Sequence, residues 1–184
     1  MKYRAIIYDL AGPLLVLKKS VKFPKYVWEI NQRCGEVTND TRFIKKLENE
    51  LNMSKKEAMT AFEFIVGSYK KNYPTWKFHY LVKKKYKTGI INNGTSVIFD
   101  RWVKKFKLAD HFDVLLNSAK LGVKKPDRKI FEIMCYRLNV EPIESVYIDD
   151  NISNVKVAKE LGFTGIHYQD QNKFFRTISR LDLL

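Results

Sequence analysis

Only two cysteines occur in 184 residues, and Cys34 and Cys135 stand in unrelated segments with no CxxC or CxxH neighbourhood. That leaves a disulfide framework and a zinc site with little support. Long apolar runs are also missing. No stretch approaches the roughly 18 residues of a membrane-spanning helix, and the opening Met1-Lys2-Tyr3-Arg4 leads into a short strand, unlike a secretory signal. A cytoplasmic protein without membrane attachment is the expectation. Acidic residues are few: 20 against 34 basic ones leave a formal net charge of +14. The lysines fall in local groups, Lys18-Lys19, Lys83-Lys84-Lys85, Lys104-Lys105 and Lys124-Lys125, and this favours anionic ligands. Because no RNP, KH, helix-turn-helix or zinc-finger pattern accompanies them, a solvated basic surface is the first reading and nucleic-acid binding the lesser one. Repeats and low-complexity tracts are absent, and 45% hydrophobic residues suffice for one compact core.

What is present begins at the first strand. Tyr3-Arg4-Ala5-Ile6-Ile7-Tyr8 runs straight into Asp9, and the turn that follows reads Leu10-Ala11-Gly12-Pro13. In open α/β sheets ligands collect at the carboxyl ends of strands, so Asp9 is placed for chemistry. Ala11 stands where a second acid would complete an Asp-x-Asp pair.

Residues 20–87 show helical patterns and no strand, with helix starts near Lys25, Asp40 and Ser54. Ser54-Lys55-Lys56-Glu57 forms a capping box ahead of Ala58, Ala61, Phe62 and Ile65. Asn72-Tyr73-Pro74-Thr75 punctuates this region, and a helix over Trp76 to Tyr86 should return the chain to the sheet. From Thr88 the pattern alternates short apolar strands (Thr88 to Ile91, Val114 to Leu116, Val146 to Ile148, Thr164 to Ile166) with amphipathic helices. The expected class is α/β: a Rossmann-like parallel sheet with helices on both faces, formed by residues 1–15 and 80–184, with a helical insertion over 16–79.

Polar groups end these strands in order. They are Asp9, then Asn92-Asn93-Gly94, Lys125-Pro126-Asp127 ahead of a helix, and Asp149-Asp150. The adjacent acids Asp149 and Asp150 repel each other unless a cation or lysine lies between them, which implies a hard metal such as Mg²⁺. The alternative is an N-cap and a first-turn acid on the helix starting at Ile152.

The set resembles the haloacid dehalogenase superfamily, through the Asp9 turn, Ile90-Ile91-Asn92-Asn93-Gly94-Thr95, Gly122-Val123-Lys124-Lys125-Pro126-Asp127 and Ile148-Asp149-Asp150-Asn151-Ile152-Ser153-Asn154-Val155. A helical insertion directly after the first motif resembles that superfamily's subclass I cap. The resemblance implies that Asp9 is a nucleophile forming an aspartyl-phosphate, and that Lys125 neutralises charge on it and on the phosphate. It implies Mg²⁺ held by Asp9, Asp150 and the Ala11 backbone carbonyl. Asp149 and Asn154 would support the site, and the Asn92 side chain with the Asn93 and Gly94 amides would bind phosphate. The substrate would be a small phosphorylated metabolite; monomer and homodimer both stay open.

Ala11 departs from the pattern, since most phosphatases of the superfamily use an acid there to protonate the leaving oxygen. General acid–base catalysis contributes about 10² to 10⁴-fold, so good leaving groups (acyl, aryl or anomeric sugar phosphates) or an acid from the cap or substrate are expected. Pro13 is a second departure. Two other readings compete: a metal-independent 2-haloacid dehalogenase, and a catalytically impaired member that binds a partner through its basic surface. The cap aromatics Trp28, Phe62, Tyr69, Tyr73 and Trp76 read as core, and His79, His111 and His167 as structural or surface residues.

Overall fold

The computed structural model describes residues 2–183. Its seven strands are β1 (Ala5–Tyr8), β2 (Leu15–Leu17), β3 (Tyr69–Lys71), β4 (Lys87–Asn92), β5 (Val114–Asn117), β6 (Ser145–Asp149) and β7 (Thr164–His167). Three helices, α1 (Lys25–Cys34), α2 (Asp40–Leu51) and α3 (Lys55–Ser68), lie between β2 and β3, and α4 (Tyr73–Val82) follows β3. The remaining helices are α5 (Ser96–Phe106), α6 (Ser118–Leu121), α7 (Arg128–Leu138), α8 (Ile152–Glu160) and α9 (Gln171–Arg180).

Five strands form one parallel sheet in the order β5-β4-β1-β6-β7. Side chains alternate faces along a strand, and here both faces are covered. Ile6, Tyr8, Ile90, Val146 and Ile148 join one apolar cluster, while Ala5, Ile7, Ile91 and Tyr147 join another under α7. This explains why the strands read as unbroken apolar runs. The chain builds outward from β1 through β4 to β5, then crosses back to β6, so the order reverses between β1 and β6. A crevice at the carboxyl ends of these two strands is the place such sheets offer a ligand.

The inserted helices form where the capping signals stand. Ser54 Oγ accepts from the Glu57 amide at 3.3 Å, and Glu57 Oε2 accepts from the Ser54 amide at 2.8 Å. Val27, Ile30, Phe43, Leu47 and Phe62 turn inward and share the cluster that contains Ile6 and Tyr8. The inserted helices and one sheet face therefore bury a single continuous core.

Two expectations need correction. Residues 20–87 do hold a strand, β3, paired antiparallel to β2 with Leu15 opposite Lys71 and Leu17 opposite Tyr69. Three residues are too few to display a period of two. The helix expected over Trp76 to Tyr86 is α4, which starts earlier and ends at Val82. Pro74 sits in its first turn, where a missing N–H has no intrahelical partner to lose. Among the described residues, no helix is long and apolar enough to cross a membrane.

His79 on α4 is fully buried and stacked on Phe112, with ring centroids 4.1 Å apart. Neither ring nitrogen has a hydrogen-bond partner. Burial, aided by the Lys83 charge, pushes its pKa down from 6.5 to about 3. The unfolded chain takes up this proton near 6.5 and the folded chain does not, so His79 draws stability away as pH falls from 6.5 towards 3. The slope from one proton approaches about 1.4 kcal/mol per pH unit. His79→Phe keeps the stacking and binds no proton. Urea unfolding at pH 7 and pH 5 should show a smaller loss of stability in the variant; equal losses would mean His79 does not titrate this way.

Candidate active site

Each strand of the central pair delivers an acid to the crevice. The Asp9 amide still donates to the Ile148 carbonyl at 2.8 Å, so the carboxylate leaves β1 at the level where Asp149 ends β6. The turn after Asp9 is closed by the Leu14 and Leu15 amides, which both donate to the Leu10 carbonyl at 3.2 and 2.8 Å. Gly12 inside it has φ +104°, and a Cβ there would stand 2.5 Å from Asp150 Oδ2. Only glycine combines that backbone with that approach, so the turn and the Asp150 carboxylate are fitted to each other.

Lys125 is the centre of the arrangement. Its side chain is 2% exposed, and Nζ donates to Asp9 Oδ1 at 2.5 Å and to Asp149 Oδ2 at 2.9 Å. Asn93 sets its position: Asn93 Nδ2 donates to the Lys125 carbonyl and Asn93 Oδ1 accepts from the Lys125 amide, both at 2.9 Å. Asp149 Oδ2 accepts further from the Tyr147 hydroxyl and from Asn154 Nδ2 at 3.0 Å, while Oδ1 accepts from the Asn151 amide at 2.7 Å. Both Asp149 oxygens are thus occupied by donors. Asp127 accepts from the Lys129 amide at 2.9 Å and caps α7 behind the lysine.

The charges do not balance. Three carboxylates, Asp9, Asp149 and Asp150, offer oxygens within 4.8 Å of one another, and among the described residues only one ammonium, that of Lys125, pairs with them. Burial, opposed by Lys125 and reinforced by the charges of Asp149 and Asp150, pushes the Asp9 pKa up from 3.8 to about 7. Burial and the neighbouring Asp149 also raise Asp150. Asp149 goes the other way, because Lys125, Tyr147 and the Asn151 amide outweigh its burial. The same pair of acids holds the Lys125 ammonium above its ordinary range despite burial. With Asp149 engaged, the second oxygen of Asp9 and the Asp150 carboxylate remain as ligands for a cation. An all-oxygen donor set suits a hard ion such as Mg²⁺.

These groups open into a cavity of 490 Å³ that also takes in Ala11, Asn92, Tyr69 and Trp102. Asn92, at the end of β4, is 3% exposed on its wall. The Gly94 amide, expected to face phosphate, has a protein partner here. It donates to Ser118 Oγ at 2.9 Å, while Asn117 Nδ2 donates to the Gly94 carbonyl at 2.9 Å, so β5 pins the β4–α5 turn. Of the cap aromatics, Phe62 and Trp76 are core, Trp28 and Tyr73 are exposed, and Tyr69 lines the cavity.

Sequence reasoning missed Tyr147 and His167. Residues i and i+2 of a strand share a face, so Tyr147 could have been found from Asp149. His167 Nε2 donates to the Asp150 carbonyl at 2.9 Å from the end of β7, a contact that no local pattern announces.

Residues 28–167 match the family of haloacid dehalogenase-like hydrolases, and the chain belongs to that family. It is 28% identical over 171 residues to the bifunctional epoxide hydrolase 2 of Sus scrofa, covering 90% of this chain and 30% of that protein. It is 34% identical over 92 residues to the glyceraldehyde 3-phosphate phosphatase of Pyrococcus furiosus, 48% of this chain and 38% of that one. The chain thus matches only about a third of the length of these curated relatives. A family enzyme from Bacteroides thetaiotaomicron, solved with magnesium and inorganic phosphate, superposes with a TM-score of 0.72 at 19% identity, over 95% of this chain and 100% of that one. The 2-haloacid dehalogenase of Pseudomonas syringae superposes with 0.68 at 16% identity, over 97% and 99%. Both superpositions establish the fold.

Proposed function

We propose that the chain is a Mg²⁺-dependent phosphatase of small phosphorylated metabolites that works through an aspartyl-phosphate on Asp9. The observation that carries this is the charge deficit: Lys125 bridges Asp9 and Asp149, and leaves Asp150 and one Asp9 oxygen uncompensated beside the cavity. A divalent cation would resolve the deficit and give an incoming phosphate its counter-charge. A 2-haloacid, itself a carboxylate, would meet three acids with one lysine between them, so the dehalogenase reading is disfavoured. The phosphatase named among the relatives and the magnesium and phosphate in the Bacteroides structure agree with this choice.

Asp9, Asp150 and the Ala11 carbonyl would hold Mg²⁺, whose positive charge offsets that of the phosphoryl oxygens. With the other Asp9 oxygen given to the cation, Oδ1, oriented by the Lys125 ammonium, is the oxygen that attacks phosphorus. The P–O bond to the ester oxygen breaks as the aspartyl-phosphate forms, and water then releases phosphate and restores the carboxylate. Asn92, on the cavity wall, donates its amide to a phosphoryl oxygen. Asp149 and Asn154 hold the lysine rather than the substrate.

The test is a side-by-side assay of phosphate release from p-nitrophenyl phosphate and chloride release from 2-chloropropionate, each with Mg²⁺ and with EDTA. Phosphate release that requires Mg²⁺ is expected. Chloride release unaffected by EDTA would replace this reading with the dehalogenase, and no turnover across a broad ester panel would favour the impaired binder.

A further inference from the structure

The turn after Asp9 carries no proton donor, because Ala11 has none, yet the leaving oxygen of an alkyl phosphate needs one. Another wall of the same cavity supplies a hydroxyl. Tyr69 is 9% exposed and lines the cavity with Asp9, Ala11 and Asp150. Resting on the phosphatase reading above, we propose that Tyr69 is the residue that faces the leaving-group oxygen and gives it a proton.

The backbone ties Tyr69 to the strand pair that begins at the turn. Ala11 bridges to Leu15, Leu15 pairs with Lys71, and Tyr69 lies two residues along the same strand, opposite Leu17. At about 3.4 Å per residue, its Cα is roughly 7 Å beyond the rung that touches Ala11. The β2–β3 ribbon thus brings Tyr69 from the inserted region to the wall of the cavity that Asp9 and Asp150 also line. Its ring is held edge-on against Trp102, with centroids 4.9 Å apart. Lys105 on α5 donates to the Val66 carbonyl at 2.6 Å and the Tyr69 carbonyl at 3.4 Å, which anchors the end of α3 and the start of β3. Burial, joined by the charges of Asp150 and Asp9, keeps the phenol protonated against the opposing Asn31 amide.

Other proton-bearing groups on this wall are less suited. Glu36 is exposed and paired with Lys124, Thr95 caps α5 by accepting from the Ile98 amide at 3.1 Å, and the half-buried Cys34 thiol is pushed up to about 12.

The chemistry balances. As Asp9 attacks phosphorus and the P–O(ester) bond breaks, the leaving oxygen takes the electron pair and the Tyr69 proton, giving the alcohol and a tyrosinate. When water attacks the aspartyl-phosphate, the tyrosinate takes the water proton, and phosphate and the Asp9 carboxylate are released. Such a role is felt in proportion to how poor the leaving group is.

The experiment compares Tyr69→Phe with the wild type on an alkyl phosphate, glycerol 3-phosphate, and an aryl phosphate, p-nitrophenyl phosphate, both with Mg²⁺. Expected is a fall of about 10²-fold in the ratio of alkyl to aryl kcat, with circular dichroism unchanged. Adding Ala11→Asp, which restores an acid to the turn, should raise the ratio again. If Tyr69→Phe lowers both substrates alike, or leaves the ratio within threefold of wild type, Tyr69 is not the donor while the phosphatase reading stands. A wild type inert on both esters overturns that reading and this one together.

Discussion

Asp9→Asn should lose turnover by about 10⁴-fold or more and at the same time gain stability in the metal-free protein. The two effects share one cause. Asp9 is crowded by Asp149 and Asp150 in a buried site, and its pKa is raised from 3.8 to about 7. A carboxyl whose folded pKa lies above its unfolded one contributes stability that disappears as pH rises from about 4 to 7; above that range the ionised form strains the fold. A neutral amide avoids the strain, so unfolding free energy at pH 8 should rise by about 1 to 3 kcal/mol. Mg²⁺ should then stabilise the wild type strongly and the variant weakly, since one ligand is gone. Thermal unfolding with and without Mg²⁺ reads all of this. A variant that is inactive and also destabilised would mean that Asp9 is a structural partner of Lys125 and nothing more.

Lys125→Met should do the reverse to stability. The lysine is the only cation within hydrogen-bond reach of Asp9 and Asp149 among the described residues, and its removal leaves two buried carboxylates facing each other. Losing one partner of a buried ion pair costs about 3 to 5 kcal/mol. For a chain of this length the melting temperature should drop by roughly 10 °C. Activity should vanish too, because the phosphoryl charge loses its fixed counter-ion. Combining Lys125→Met with Asp9→Asn should return part of the lost stability, since the repulsion left behind by the first change is reduced by the second. A single Lys125→Met variant within about 1 kcal/mol of wild type would show that the measured pairs contribute little.

The centre of the sheet was legible because β1, β4 and β6 are buried on both faces and each runs into a polar residue. Ile6 to Asp9, Ile90 to Asn92 and Val146 to Asp149 each announce a strand and its functional end together. The pair of Lys125 with Asp9 was implied by the resemblance alone, and its second pair, with Asp149, was not foreseen. What escaped was of two kinds. The three-residue strand Tyr69–Lys71 is too short to carry a period, and its loss hid the fact that Tyr69 returns to the cavity. The side chain of Asn93 and the amide of Gly94 find partners far along the chain, Lys125 and Ser118, that no local pattern announces. Residues that point at chemistry show in a sequence by type and spacing; residues that hold them in place show only after folding.

The account rests on one arrangement, in which Asp9 accepts a phosphoryl group beside a cation held with Asp150. Beryllium fluoride, a stable mimic of phosphate on an aspartate, tests it without knowledge of the substrate. Fluorine NMR of the protein with beryllium fluoride should show bound resonances when Mg²⁺ is present, and lose them in EDTA and in Asp9→Asn. No bound signal in the wild type with Mg²⁺, or a signal that persists in Asp9→Asn, would contradict the account.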